Sequence, residues 1–505
     1  MKHLGSASVL ALCAMAAPAL ADVTPQQVWD NLEGYMASSG YAVTATESMS
    51  GGTLTVSDIS MTVDIPEEDG TVSVNMGEMS FADKGDGSVE ISWPASMPIG
   101  VMIDVDGEKV EVGLDYITMG GAMTASGTTD AMAYDYSADS ISLVLSKLNV
   151  EGEEITRDMA TFEMVMSGLG GNMVMSMADG MRMISQTLNG AGLTITGMAS
   201  EPGTENGGNF SLAMAAFESS SESMVPGTVD YTDMPAMLAA GFAGAGEFSH
   251  SGVEMAFDVT DRGDNTNGSI STSSGRMAFA MSQDAMSFDG GNTDMTVAMQ
   301  GAEIPLPISG KMAETSFNVS MPLQKSDTPQ DAAIGLTLGG FETSDMIWGM
   351  LDPGGVLPRD PATVSADLTA KVTPFVSLLN EEEMMKVEMG EMMPGELNAV
   401  TLNALTVEAA GGKITGDGDF TFDNTDLTSF DGFPAPEGKL NLSVSGANGL
   451  IDKIIAMGLM SQEDAMGARM MLSMFTVPGS APDSATSTIE FNDQGHILAN
   501  GQRIK

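Results

Sequence analysis

Basic residues, aromatic residues and cysteine are all scarce in this chain of 505 residues. The sequence has 19 Lys and Arg against 69 Asp and Glu, so the formal net charge is −50. A nucleic-acid-binding protein needs clustered Lys and Arg to displace counterions from the phosphates, and this composition excludes that class of protein. The single cysteine, Cys13, cannot form an internal disulfide, and because it lies in the segment 1–21 that we expect to be cleaved, we expect no thiol catalysis or thiolate metal site in the mature chain.

Histidine and aromatic residues are too few for the common kinds of active site. Aromatic residues make up 5% of the chain, which is scant for the sugar platforms that accompany the paired carboxylates of a glycosidase. Beyond the N-terminus the only histidines are His250 and His496, and neither has a second histidine at metal-ligand spacing. We find no nucleophile-elbow or phosphate-loop motif. The sequence therefore predicts a protein that is not an enzyme and needs no cofactor or metal.

Residues 1–21 have the pattern of a secretory signal peptide. Lys2 and His3 supply a positive start, an apolar stretch runs to Pro18, and the sequence Ala-Leu-Ala at 19–21 has the small residues of a cleavage site. We expect cleavage after Ala21 and a periplasmic or secreted protein. Lipidation at Cys13 is the alternative, but Leu12 stands where that signal requires a small residue.

The rest of the chain is dominated by alternation of apolar and polar residues. Typical runs are Val110–Tyr116 and Phe317–Leu323, and Gly- and Asp-rich turns separate many of them. This pattern predicts a mainly β fold: a long, curved antiparallel sheet with one apolar face, and with a few short covering helices. Shifts of the alternation between Val56 and Ile59, and again at Gly77-Glu78, predict β-bulges.

Helical patterns interrupt the strands in a few places. An opening helix is capped by Thr24, and the other predicted helices lie at 233–241, 343–351, 380–393, 449–459 and 462–475, with Asn380 and Ser461 as caps of two of them. A weak similarity between residues 232–238 and 344–351 suggests two related halves. We therefore expect β-rich halves at 22–325 and 326–505, with a helix pair near 449–475.

Methionine is the unusual abundance, with 46 residues. Its flexible thioether side chain fills gaps in cores and lines adaptable apolar surfaces. Thioethers also bind copper(I), but the methionines are spread along the whole chain, which favours core or groove lining. The predicted groove-lining residues are Met164, Met166, Met173, Met175, Met177, Phe210, Leu212 and Met214.

Four segments resemble the domain-of-unknown-function family 2125, a group of uncharacterised exported bacterial proteins. They are IWGMLDPGGVLPRDPATVSADLTAKV at 347–372, GGKITGDGDFTFDN at 411–424, PEGKLNLSVSGANGLIDKIIAMGLM at 436–460 and TIEFNDQGHILANGQRIK at 488–505. More distantly, the layout is similar to the AsmA-like periplasmic proteins with long sheets. That second resemblance implies a curved sheet whose apolar inner groove serves lipid or envelope transport, and neither implies any catalytic residue.

These observations lead to two expectations for function. The first is an exported, non-catalytic envelope protein that binds a lipid, an acyl chain or another hydrophobic partner, such as an envelope protein, on an apolar groove of its sheet. The alternative is a structural or adhesive surface protein with no small-molecule ligand. An open apolar channel would favour the first function, whereas a dry, closed core would favour the second.

Overall fold

A computed structural model describes residues 22–38, 40–65, 70–105, 108–227 and 233–505. The predicted signal peptide, residues 1–21, lies outside the described residues. About 62% of the chain is strand and 12% is helical, which confirms the mainly β fold with a few short helices. Every strand pairing in the described ranges is antiparallel, for example between β11 and β12, whose bounds follow.

The described residues form six helices and one sheet of thirty strands. The helices are α1 Pro25–Ser38, α2 Met234–Ala239, α3 Asp345–Leu351, α4 Glu381–Glu388, α5 Ala447–Ala456 and α6 Gln462–Phe475. The first fifteen strands are β1 Ala42–Ser50, β2 Thr53–Ile65, β3 Gly70–Met76, β4 Met79–Asp83, β5 Val89–Ser92, β6 Ser96–Val105, β7 Glu108–Met119, β8 Ala122–Thr128, β9 Ala131–Val150, β10 Glu153–Ile155, β11 Ala160–Ala178, β12 Met181–Gly190, β13 Gly192–Ser200, β14 Gly207–Met214 and β15 Phe217–Pro226. The others are β16 Ala243–His250, β17 Val253–Asp261, β18 Asp264–Thr272, β19 Ser274–Met281, β20 Ala285–Gly301, β21 Ile308–Pro322, β22 Gln330–Thr343, β23 Ala362–Pro374, β24 Gly395–Ala409, β25 Gly412–Asp423, β26 Ala435–Ser445, β27 Val477–Pro478, β28 Ser484–Phe491, β29 Ile497–Ala499 and β30 Gln502–Arg503.

The sheet is an up-and-down meander in which many long strands are interrupted near the middle. Strand β11 pairs along its whole length with β9 on one side, while β12 and β13 share its other side. Strands β12 and β13 therefore act as one long strand that is broken at Ala191. The same holds for β14 with β15, β16 with β17 and β18 with β19, after which β20 is again unbroken.

The interruptions line up from strand to strand and form a crease across the sheet. Several strands carry a residue with positive φ at this point: Asp58 at 53°, Gly168 at 58°, Asp294 at 51° and Gly340 at 67°. One extra residue in an antiparallel pair bends the strand and moves the following side chains to the other parity. The shift predicted between Val56 and Ile59 is therefore a real bulge, because Asp58 occupies it. The second predicted bulge is wrong, since Gly77-Glu78 instead separates β3 from β4.

Apolar side chains meet on the concave side of the crease. Ala138, Leu169 and Phe217 are buried there, and Met166 and Leu188 from opposite sides of the crease pack against them. We call this concave apolar side the inner face. We call the part of the sheet containing β12, β15, β16 and β19 the first arm, and the part containing β13, β14, β17 and β18 the second arm.

Helix α1 covers the inner face of the first arm over the strands that come first in the chain, from β2 to β11. Trp29 is 1% exposed and its ring packs edge-on against Phe81 at a centroid distance of 5.9 Å. The indole N–H of Trp29 donates to Oε1 of Glu47 at 3.0 Å, so the polar edge of the ring is also satisfied. Leu54, Val56, Ile59, Ile91, Met132, Tyr134 and Met175 are also buried in this core. We call it the closed core.

The two predicted halves share one continuous sheet. Strand β21 pairs with β22, so the ladder crosses the expected boundary near 325–330 without a break. At the far end, the buried Ser487 on the inner face of β28 donates its hydroxyl to the carbonyl of Phe475 at 2.6 Å. The C-terminal end of α6 therefore lies over that end of the inner face. Of the helices within the described residues, none is long and apolar enough to span a membrane.

The predicted helix caps are in place. The side-chain oxygen of Asn380 accepts from the backbone N–H of Glu383 at 3.0 Å, and the Ser461 hydroxyl accepts from the N–H of Asp464 at 3.1 Å. Each cap satisfies one of the N–H groups that a helix start leaves without a partner. The helices begin within a few residues of the predicted positions for this reason.

Candidate apolar groove

The two faces of the sheet differ sharply in charge. The register of the ladders places Glu163, Glu247, Asp289, Asp367 and Glu408 on the outer face, as it does most strand carboxylates from β11 onward. On the inner face of strands β11 to β28, apart from Asp261 and Asp264 in one hairpin turn, the titratable side chains are Arg182 and His250. A chain of net charge −50 therefore keeps almost all of its charge off this surface.

Apolar side chains stand opposite one another across many strands of the inner face. One row joins Phe279, Phe288, Val319, Ile334, Leu368 and Leu402. A parallel row joins Leu338, Val364, Val407, Ile414 and Val444. Cross-strand apolar neighbours of this kind stabilise the sheet, and together they make a continuous hydrophobic surface.

Much of this surface is exposed. Phe279 is 53% exposed, Met277 49% and Ile334 57%, although all three lie on the inner face. We call the contiguous exposed set the open stripe; its residues are Met277, Phe279, Phe288, Ile334, Leu336, Leu338, Val364, Val407 and Ile414. It crosses strands β19 to β25, a distance of ~30 Å. Inner-face residues are two positions apart on a strand, and the three rows of the stripe, taken at that spacing, give it an area of roughly 600 Å². Patches of that size on soluble proteins mark interaction surfaces.

The total surface of the chain agrees with an open sheet. The chain exposes 28887 Å², whereas a compact monomer of its 52.3 kDa exposes about 17,500 Å². The residues outside the described ranges would account for about 5,000 Å² even if fully extended. Most of the excess area therefore belongs to the described sheet.

Two adjoining depressions lie on the second arm, where glycines sit between aromatic rings. The first has a volume of about 650 Å³ and includes Phe210 and Phe257. The second, of about 550 Å³, includes Phe257, Met299 and Ile308. A Cβ at Gly197 would lie 2.2 Å from the Phe210 ring, and one at Gly268 would lie 2.7 Å from the Phe257 ring. Glycine is needed at both positions because the rings lie flat over the neighbouring strand.

The structure divides the eight predicted groove residues among different environments. Met164, Met166, Leu212 and Met214 are half-buried on the second arm or beside the crease, and Phe210 is 43% exposed beside the first depression. Met175 is only 1% exposed in the closed core, and Met173 packs against that core. Met177 lies near the C-terminal end of β11 and is exposed. The structure thus brings the second-arm residues together, whereas Met175 does not line an open surface.

The open stripe was not among the predicted groove residues. Its strands show the same alternation as the predicted ones, as in Ile334, Leu336 and Leu338 of β22. What distinguishes the stripe is the absence of a covering element among the described residues, and alternation within a strand does not report that. The density of methionine in β11 drew the prediction toward the part of the sheet that α1 covers.

Ionisable groups near the groove are structural in character. On the outer face Arg276 lies between Glu247 and Asp289, and its hydrogen bonds to both carboxylates raise its pKa. On the inner face burial lowers the pKa of His250, whose Nδ1 accepts from the N–H of Gly252 at 3.3 Å. Within the described residues no group of three or more His, Cys, Asp or Glu side chains is placed to hold a metal ion.

Comparisons with known proteins add little to this description. No known family model matches the sequence, and no curated relative does. Among solved structures the chain is similar to the ferric citrate transporter FecA in its unliganded form, with 6% identity over 91% of this chain and 76% of that chain. The TM-score of that comparison is 0.15, which is too low to carry an argument.

Proposed function

We propose that this chain is an exported, non-catalytic envelope protein that holds acyl chains on the inner face of its sheet. The observation that carries the proposal is the open stripe, an apolar surface of roughly 600 Å² without a charged side chain. Hydrocarbon is the occupant that fits, because it requires no hydrogen-bonding or charged partner from the surface. The signal-peptide pattern of residues 1–21 supports the location.

The chemistry of the surface also suits chains of varied length and unsaturation. Met277 and Phe279 on the first arm and Met299 on the second arm offer adaptable contacts rather than a rigid pocket. The depressions beside Phe210 and Phe257 have volumes in the range of small-molecule sites. Several hydrocarbon chains could therefore lie side by side across the strands.

A matched pair of variants tests the proposal. Leu336→Glu places a carboxylate in the middle of the open stripe, whereas Thr337→Glu places the same group on the outer face of the same strand. Leu336 is already exposed, so Leu336→Glu should fold. Thr337 is half-buried and its hydroxyl pairs with that of Ser365 at 2.9 Å, so Thr337→Glu should lose about 1 kcal/mol of stability and still fold. We expect Leu336→Glu to weaken binding of a fluorescent fatty acid by tenfold or more, because a bound chain would have to desolvate the new charge.

The measurement is titration with the fluorescent fatty acid, together with native mass spectrometry of the purified protein for retained lipid. Thr337→Glu should bind like the wild type. If the wild type binds no fatty acid and retains no lipid, the proposal is wrong. Equal weakening by both variants would also contradict it, because the effect would then come from charge alone.

A structural or adhesive protein is the second candidate, and one further surface favours it. Met466, Met470 and Met474 follow one another at four-residue spacing on α6 and are all strongly exposed. Such a stripe lies on one side of a helix and suits contact with another protein. If no lipid binds the sheet, this reading becomes the leading one.

A further inference from the structure

Arg182 is the one Lys or Arg side chain on the inner face of the described strands from β11 onward. It is on β12, between Met177 of β11 and Val225 of β15 in the ladder. Apart from Asp261 and Asp264 in a hairpin turn of the second arm, the other titratable group on the inner face from β11 onward is His250, whose pKa is lowered by burial. Arg182 is therefore the permanent positive charge of this surface, and it lies where the closed core under α1 ends.

Among the described residues, the guanidinium of Arg182 has only weak partners. Its Nη1 is 3.5 Å from the backbone oxygen of Asn31 and 3.9 Å from Sδ of Met175. None of the ion pairs among the described residues involves Arg182, although acidic residues outnumber basic ones by 69 to 19. A guanidinium carries five N–H donors in a planar fork that matches a carboxylate or phosphate. Arg182 is half-buried, and most of its N–H donors have no acceptor among the described residues.

The strands next to Arg182 carry several small residues on their inner face, and aromatic rings lie over the glycines among them: a Cβ at Gly244 would lie 3.7 Å from the Phe242 ring and one at Gly246 2.6 Å from the Phe279 ring. The adjoining row runs from Ile184 through Ser223 and Gly244 to Met281. Ser221 and Gly246 lie in the next row, which continues to Phe279 of the open stripe. Strands β12 and β19 are three strand spacings apart, or ~14 Å. An extended chain that starts at Arg182 would therefore cross the Ser and Gly surface and reach the apolar residues of β19.

The geometry points to Arg182 as the binding site for the anionic head group, a carboxylate or phosphate monoester, of an amphiphile whose hydrocarbon tail lies across the inner face toward β19. This inference rests on the proposed function, because it assumes that the inner face holds hydrocarbon. It adds the class of ligand, an anionic amphiphile rather than a neutral lipid. Arg182 would form paired charge-assisted hydrogen bonds to the head group, and the Ser223 hydroxyl in the adjoining row would supply a further donor.

The test compares a long-chain fatty acid with the fatty alcohol of the same chain length. We expect the wild type to bind the acid about 10- to 150-fold more tightly, the factor that corresponds to about 1.5–3 kcal/mol for a charge-assisted hydrogen bond. In Arg182→Gln the preference should disappear, with weaker binding of the acid and nearly unchanged binding of the alcohol. Arg276→Gln, on the outer face, is the matched control and should keep the wild-type preference.

The possible outcomes separate this inference from its foundation. If the wild type binds acid and alcohol equally, the assignment of Arg182 is wrong, whereas the proposed function stands. If neither ligand binds, the proposed function itself fails. An Arg182 that only holds α1 in place would, when replaced, lower the melting temperature and weaken both ligands equally. If inorganic phosphate or acetate raises the melting temperature of the wild type as much as the fatty acid does, the site takes a free anion and the amphiphile assignment is overturned.

Discussion

Two methionines on the inner face offer a direct measurement of how open the sheet is. Met175 and Met277 lie on strands of the same arm, yet Met175 is 1% exposed and Met277 is 49% exposed. Replacement of a fully buried methionine by alanine removes its transfer free energy and leaves a cavity, at a cost of about 2–5 kcal/mol. Met277→Ala leaves no closed cavity, and because the side chain is already half in water its cost should stay below about 1 kcal/mol.

Urea unfolding of both variants, followed by circular dichroism, gives the two free-energy changes. A loss of about 2–5 kcal/mol is a large share of the usual total of about 5–15 kcal/mol, so Met175→Ala should shift the midpoint clearly. Equal costs for the two variants would refute the reasoning, because Met277 would then be covered by another part of the chain or by a second copy. With saturating fatty acid, the cost of Met277→Ala should rise, since the bound chain then packs against it.

Two further predictions concern α1 and α4. Burial, followed by the charge of Glu47, raises the pKa of Glu33, so ionised Glu33 destabilises the folded state above its folded-state pKa. At neutral pH, Glu33→Gln should therefore raise the free energy of unfolding by about a few tenths of a kcal/mol at this partly exposed site, seen as a slightly higher melting temperature. That gain should vanish at about pH 3, where the carboxyl is protonated in both states, and an equal gain at both pH values would contradict the reasoning. Asn380→Ala should weaken α4 by about 1 kcal/mol, seen as faster hydrogen exchange of its amides, while Asn380→Ser should keep most of the protection.

Local patterns predicted the strands and helices of this fold well because these elements form through interactions between residues that are close in sequence. The alternation that predicted strands, and the caps at Asn380 and Ser461, express hydrogen-bonding and packing rules that act within a few residues. Gly77-Glu78 was misread because a bulge and a break between two strands produce the same shift of parity. The pairing partners on β2 and β6 decide between them, and they are distant in sequence.

The candidate site was harder to predict because exposure depends on what lies across the groove. Met175 and Met277 occupy similar alternating contexts, but α1 lies over the first and no described element lies over the second. The boundary expected near 325–330 shows the same limitation. A similarity between two short helical segments suggested two related halves, and it could not show that the pairing of β21 with β22 carries one ladder across the boundary.

The division of buried residues along the chain connects stability to the proposed function. Between residues 326 and 505 the buried apolar side chains are Val376, Ala465 and Ala499, whereas the closed core near α1 holds Trp29 and many large residues. Ordering a residue costs roughly 1–2 kcal/mol of backbone entropy, and so small a core offsets little of that cost. The C-terminal strands are therefore held chiefly by the ladder that joins them to β21 and, through it, to the closed core. A hydrocarbon ligand on the open stripe would supply the missing apolar contacts, and binding to the folded state alone stabilises it by mass action. The part of the sheet that is least able to stabilise itself is thus the part that gains most from the proposed ligand.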